Sequence, residues 1–202
     1  EIIRNFIQPF DLGKPPLFRV CLATLSENSH LLIFDTHHIA VDGLSLTIVT
    51  QEINRLYADE SLPLLKKQYK DFVLWQEEQL QSQTAKQDEA YWIEKFSGEI
   101  PILQLPTDYP RPVYRSSEGG VLYSVISEQK TLQLKSLAKK SRVTLNMLLF
   151  AAYNVLLHKL TDQEDIVVGS PVANRNRSET EGLIGFFVNT LVLRTDLSGD
   201  PD

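Results

Sequence analysis

The chain has 202 residues, 43% of them hydrophobic and 23% charged, as in a folded globular protein of one domain or two small lobes. A net charge of −6 argues against a nucleic-acid surface, and no apolar run approaches the roughly 20 residues that cross a bilayer. The single cysteine, Cys21, excludes an internal disulfide and lies in an apolar stretch, so it reads as a packed thiol rather than a nucleophile, in a reducing, cytoplasmic setting.

Residues 1–10 lack the charged-then-apolar layout of a signal peptide. After the turn-rich Phe10-Asp11-Leu12-Gly13-Lys14-Pro15-Pro16, the run Leu17 to Leu25 predicts a strand. Glu27-Asn28-Ser29 is a turn and His30 to Thr36 a second strand, close enough to pair as a hairpin. Val49, Ile53, Leu56 and Tyr57 recur at helical spacing between residues 44 and 57, with Asp42 or Ser45 as the cap. Helices are predicted over 69–83 and 87–96, burying Phe72, Trp75, Leu80, Tyr91 and Trp92.

The segment 97–117 holds Pro101, Pro106, Pro110 and Pro112 and is the clearest boundary in the chain. Val121 to Ser127 alternates like a strand. A helix is predicted from Ser127 to about Ser141, and a strongly apolar one, capped by Thr144, over 145–160. Short strands are predicted at 166–169 and 186–194. The pattern implies an α/β arrangement in two lobes: 1–97, a proline-rich crossing at 98–117, and 118–202. Glu1 opens without a methionine and Asp202 follows a turn-like Ser198-Gly199-Asp200-Pro201, so the chain is read as a stretch of something longer.

Three of the four histidines lie between positions 30 and 38, and His37-His38 stand where the second strand meets the following helix. An imidazole there can act as a general base or orient a substrate. Gly43 opens the helix, where backbone N–H groups lack intrahelical partners and can stabilise an oxyanion. Asp42 can orient an imidazole or hold the loop. The bland readings are a structural histidine pair and an Asp-Gly turn that caps a helix. A zinc site built from His37, His38 and Asp42 is disfavoured, because neighbours on an extended chain point to opposite faces and there is no cysteine cluster. No G-x-S-x-G is present to supply a serine nucleophile.

His37-His38-Ile39-Ala40-Val41-Asp42-Gly43 has the form H-H-x-x-x-D-G. Tyr69 to Gln76 has the form Y-x-D-[YF]-x-x-W-Q, Gly169 to Arg175 the form G-x-P-x-x-x-R, and Ile184 to Thr190 the form I-G-x-F-V-N-T. Pro9-Phe10-Asp11-Leu12, Tyr91-Trp92 and Leu105 to Pro112 fit the same order. Together these resemble the condensation domains of nonribosomal peptide synthetases, in the superfamily of chloramphenicol acetyltransferase. The resemblance implies part of a two-lobed fold with mixed sheets, flanking helices and a tunnel between the lobes. It implies peptide-bond formation between aminoacyl thioesters held on the phosphopantetheine arms of two carrier-protein domains, beside an adenylation domain, in antibiotic-type biosynthesis. It implies no directly bound cofactor or metal.

By the same resemblance His38 is the central catalytic residue and the Gly43 N–H lies near the tetrahedral oxygen. Asp42 is structural, His37 packs inward, and Asn189 and Ser45 line the substrate tunnel. About half of the full domain is present. The arginine-bearing segment that pairs with the motif aspartate is expected to be missing, so Asp42 is expected to lack its partner. The chain on its own is expected to be inactive and to expose apolar surface. An epimerization domain shares H-H-x-x-x-D-G but departs from I-G-x-F-V-N-T, which this chain keeps. A heterocyclizing domain replaces the histidine pair with aspartate. A non-catalytic carrier-docking module is the alternative of a different class.

Overall fold

A computed structural model describes residues 2–114, 116 and 118–199. Packing divides the chain into two compact units, Glu1–Trp92 with Pro171–Leu191, and Ile93–Ser170 with Val192–Asp202. Residues 171–191, grouped with 118–202 in the sequence, thus pack with the first unit.

The first unit opens with a short helix α1 (Ile2–Phe6) that the sequence reading left unassigned. Strands β1 (Phe18–Ser26) and β2 (Ser29–Thr36) form the expected hairpin, antiparallel, with Phe18 opposite Thr36 and Leu22 opposite Leu32. The register sets Arg19 opposite Asp35, an ion pair at 3.5 Å. Cys21, at the centre of β1, is a partly buried free thiol. At the end of β2 the carbonyl of Leu17 accepts from both the Thr36 hydroxyl (3.1 Å) and the His37 N–H (3.1 Å), which fixes where the strand stops.

Helix α2 (Gly43–Tyr57) follows, capped by Asp42. Helix α3 (Tyr69–Leu80) starts where the Asp71 carboxylate accepts from the Gln68 N–H at 2.7 Å. Tyr69, Phe72 and Trp75 recur every third residue and so share one helix face. That face packs on Leu183 and Phe187, with Phe72 and Phe187 ring centroids 4.7 Å apart. Leu80 and Tyr91, expected to be buried, are 68% and 57% exposed: Leu80 is the last residue of α3, and Tyr91 lies on α4 (Gln83–Lys95), which has no fully buried residue.

From Leu183 to Phe187 burial alternates, Leu183, Gly185 and Phe187 inward and Ile184 and Phe186 outward. A Cβ at Gly185 would lie within 3 Å of the Tyr69 ring. That ring is held by its hydroxyl, which donates to the Phe186 carbonyl at 2.7 Å, and by an edge-on contact with Phe187 at 5.1 Å. Gly185→Ala is therefore expected to lower the unfolding free energy by about 1–3 kcal/mol, the cost of overpacking a site that cannot yield. A urea midpoint equal to the unmutated protein's would refute this.

The second unit holds α5 (Glu128–Lys140) and α6 (Leu145–Thr161), bent 101° from one to the next. Ser127 and Thr144 cap them, accepting from the N–H groups of Lys130 and Met147. Ala138, Leu157 and Ile166 are its buried apolar residues. Arg194 donates to the Asp165 carboxylate (2.7 Å) and to the carbonyls of Lys95, Ser97 and Glu99. The Gln163 side chain accepts from the Gln104 N–H and donates to the Ile102 carbonyl. These contacts hold the start of the proline-rich crossing. Among the described residues no single helix is long and apolar enough to cross a membrane.

Strands β3 (Asp165–Val172) and β4 (Asn189–Asp196) pair as a second two-stranded sheet, and a single-turn helix α7 (Ser178–Glu181), also unassigned in the sequence, lies between them. The expected strand at 121–127 does not form. No strand among the described residues pairs with it, and Leu122, Tyr123 and Val125 stand 100%, 92% and 95% exposed. Alternation gives a strand only where a neighbour takes its backbone N–H and C=O groups.

Candidate active site

The turn from His37 to Asp42 gives the two imidazoles opposite roles. The Nδ1 of His37 lies 3.1 Å from the Ile39 N–H, which can only donate. That nitrogen is therefore an acceptor, and neutral His37 carries its proton on Nε2. The ring is partly buried and meets Phe10 edge-on at 6.2 Å. The Nδ1 of His38 lies 2.7 Å from the Val41 carbonyl, which can only accept. His38 therefore donates from Nδ1, and its Nε2 carries a lone pair. His38 is exposed, and its ring meets Phe186 at 5.4 Å and 76°.

Asp42 is 1% exposed and lies at the centre of a dense polar cluster. Its Oδ1 accepts from the Ser45 N–H and hydroxyl, both at 2.8 Å, and from Arg175 at 3.1 Å. Its Oδ2 accepts from the Phe187 N–H at 3.1 Å. The Arg175 guanidinium also donates to Ser45 Oγ and to the carbonyls of Thr180 and Leu183, and its carbon sits 4.0 Å over the Phe187 ring. Gly185 joins through both backbone groups: its carbonyl accepts from the Asp42 N–H and lies 2.8 Å from Ser45 Oγ, whose one proton serves either it or Asp42 Oδ1, and its N–H donates to Ser45 Oγ. Burial pushes the Asp42 carboxyl up. The bonds from the Ser45 N–H and hydroxyl, the Phe187 N–H and Arg175 outweigh it and hold Asp42 below the ordinary carboxylate value. None of these bonds reaches His38.

The expectation that Asp42 lacks its partner is thus overturned, because Arg175, 133 residues away, is that partner. Ser45, placed in the sequence along a substrate tunnel, is fully buried, and its hydroxyl is taken up by Asp42, Arg175 and Gly185. It therefore lines no open surface. Gly43 is the first residue of α2, and a Cβ built there would meet nothing within 4 Å. The fold itself leaves room for a side chain at that position. Asn189 is exposed at the start of β4, its Oδ1 accepting from the Thr190 N–H at 2.8 Å.

The family model for the condensation domain matches residues 1–202. The chain belongs to the condensation-domain family. It is 48% identical over 199 residues to tyrocidine synthase 3 of Brevibacillus parabrevis, covering 98% of this chain and 3% of that protein. Its backbone is similar to that of a four-domain nonribosomal peptide synthetase crystallised with AMP and glycine, at 28% identity and a TM-score of 0.81, covering 99% of this chain and 15% of the other. SgcC5 from Streptomyces globisporus is similar at 28% identity and a TM-score of 0.76, over 92% of this chain and 43% of its own. The chain therefore spans less than half of such a structure and a few per cent of the synthase. As a condensation-domain chain it has the expected α/β architecture in part, here with two small two-stranded sheets and flanking helices. Arg175 ends the G-x-P-x-x-x-R stretch, Gly169 to Arg175. Sequence reasoning missed its role, because nothing along the chain near Arg175 marks a carboxylate 133 residues away as its partner.

Proposed function

We propose that this chain contributes the histidine-bearing site of a peptide-bond-forming condensation domain. The observation that carries the reading is the His38 Nδ1–H bond to the Val41 carbonyl, which leaves the Nε2 lone pair free five residues before a helix start with open space at Gly43. The amine of an acceptor aminoacyl thioester attacks the carbonyl carbon of a donor thioester. His38 Nε2 accepts a hydrogen bond from that amine, and the same lone pair serves whether the residue takes the proton or orders the nucleophile. The developing oxygen is met by the Gly43 N–H. Collapse of the tetrahedral intermediate breaks the carbon–sulfur bond, the proton given up by the amine ends on the departing donor thiol, and an amide is left on the acceptor. Asp42 and His37 support the loop, and Asn189 contacts substrate.

On this reading the partners are two carrier domains, which bring both substrates on phosphopantetheine arms, and an adenylation domain. The lobe assignment 1–97 and 118–202, joined by 98–117, belongs to the same reading, with residues 171–191 serving the histidine site. The test supplies donor- and acceptor-loaded carrier proteins to a full-length condensation domain carrying this chain. The expected product is the dipeptide on the acceptor carrier, with none from the 202 residues alone. A product with an inverted α-carbon and no new amide would overturn the reading.

A further inference from the structure

We propose that Phe186 is a positioning residue for His38, held in place by Tyr69. The inference rests on the reading of His38 given above. One hydrogen bond, from Nδ1 to the Val41 carbonyl, fixes one edge of the imidazole. The aromatic contact of the ring is with Phe186, near perpendicular at 5.4 Å. An aromatic pair at that distance and angle is a favoured arrangement.

Phe186 is a large apolar side chain standing 38% exposed on a backbone that is pinned on both sides. Its own carbonyl accepts from the Tyr69 hydroxyl at 2.7 Å. Before it, Gly185 lies against the Tyr69 ring, so closely that no other side chain fits there. After it, the Phe187 N–H donates to Asp42 and the Phe187 ring lies in the core, 2% exposed. The buried faces of this segment account for Leu183, Gly185 and Phe187. They do not account for an outward phenylalanine, whose ring contact is the histidine. A rigid backbone carrying one aromatic ring onto an exposed imidazole is a means of fixing where Nε2 lies. Misplacing a reacting group by an ångström costs rate while leaving binding intact.

The experiment measures dipeptide formation by the full-length condensation domain with loaded carriers. Phe186→Leu is expected to lower kcat about tenfold, with KM for the acceptor carrier changed by less than about twofold. Phe186→Tyr, which keeps the ring, restores kcat to within about threefold of the unmutated domain. Adding Phe186→Leu to His38→Ala brings no further loss, because a residue acting through His38 has nothing left to position. Tyr69→Phe, which removes only the hydroxyl, should lower kcat in the same manner and carries the comparison if Phe186→Leu loses cooperative unfolding. An unchanged kcat, a loss confined to KM, or losses that multiply in the double variant would each overturn the positioning role alone. Full turnover by His38→Ala would overturn both this inference and the reading beneath it.

Discussion

His38→Ala is expected to lower the rate of amide formation by about 10²- to 10⁴-fold, the usual range for losing a positioned acid–base group. The fold should survive, because His38 is exposed and the variant gives up a single hydrogen bond of its ring, to the Val41 carbonyl, with no charge left stranded. The loss should therefore appear with an unchanged melting profile, and a scaffold that only docks carriers would keep its product yield. His37→Ala separates the two imidazoles. Its Nδ1 is occupied by the Ile39 N–H and its ring by Phe10, so its removal should act through loop order and cost less turnover than His38→Ala. Gly43→Ala is the companion variant. Its added methyl meets nothing within 4 Å of protein, so a fall in kcat without a fall in stability would mark that space as the approach to the Gly43 N–H. Equal turnover by His38→Ala and the unmutated domain would remove the histidine from the chemistry.

The parts of this architecture that a sequence displays are those fixed by neighbours along the chain. The β1–β2 hairpin is visible in two apolar runs around Glu27-Asn28, and α6 in its apolar period behind a Thr144 cap. The motif at 69–76 shows its purpose once Tyr69, Phe72 and Trp75 are placed three apart on a helix. What escapes is whatever depends on distant partners. Val121 to Ser127 alternates as a strand does, yet a ladder needs a second strand, and the pattern carries no record of one. Leu80 and Tyr91 look like core residues by type, but burial is decided by what packs on them, and at the end of α3 and on α4 they stand more than half exposed. Segment 183–187 shows the reverse: its burial alternates without a ladder, because α2 and α3 rather than a strand take up its groups. The Asp42–Arg175 pair is the plainest example. Periodicity at either end says nothing of a bond spanning 133 residues.

Breaking that pair is expected to have the largest effect on stability. Asp42 and Arg175 side chains are 0% and 5% exposed, so removing either charge strands the other away from water. Such a loss costs about 3–5 kcal/mol, a large part of a small protein's total stability. The two directions are not equivalent. Arg175→Met leaves Asp42 with three donors, the Ser45 N–H and hydroxyl and the Phe187 N–H, and frees the carbonyls of Thr180 and Leu183. Asp42→Asn keeps the shape but sets an amide NH₂ against either the Ser45 or the Phe187 N–H, since each carboxylate oxygen accepts from one of them. Restoring an apolar partner therefore cannot rescue it, and Asp42→Asn/Arg175→Met should remain well below the unmutated protein in urea unfolding. The pH dependence has a definite sign. The folded Asp42 carboxyl lies below its ordinary 3.8, so its contribution is complete above that value and is lost as pH falls through the lower, folded one. From about pH 3.8 down to the acid midpoint the unmutated protein should lose stability more steeply than Asp42→Asn, which has no proton to take up there. Parallel acid limbs, or a loss below about 1 kcal/mol in Arg175→Met at neutral pH, would show that the cluster is held by its neutral hydrogen bonds rather than by the buried charge pair.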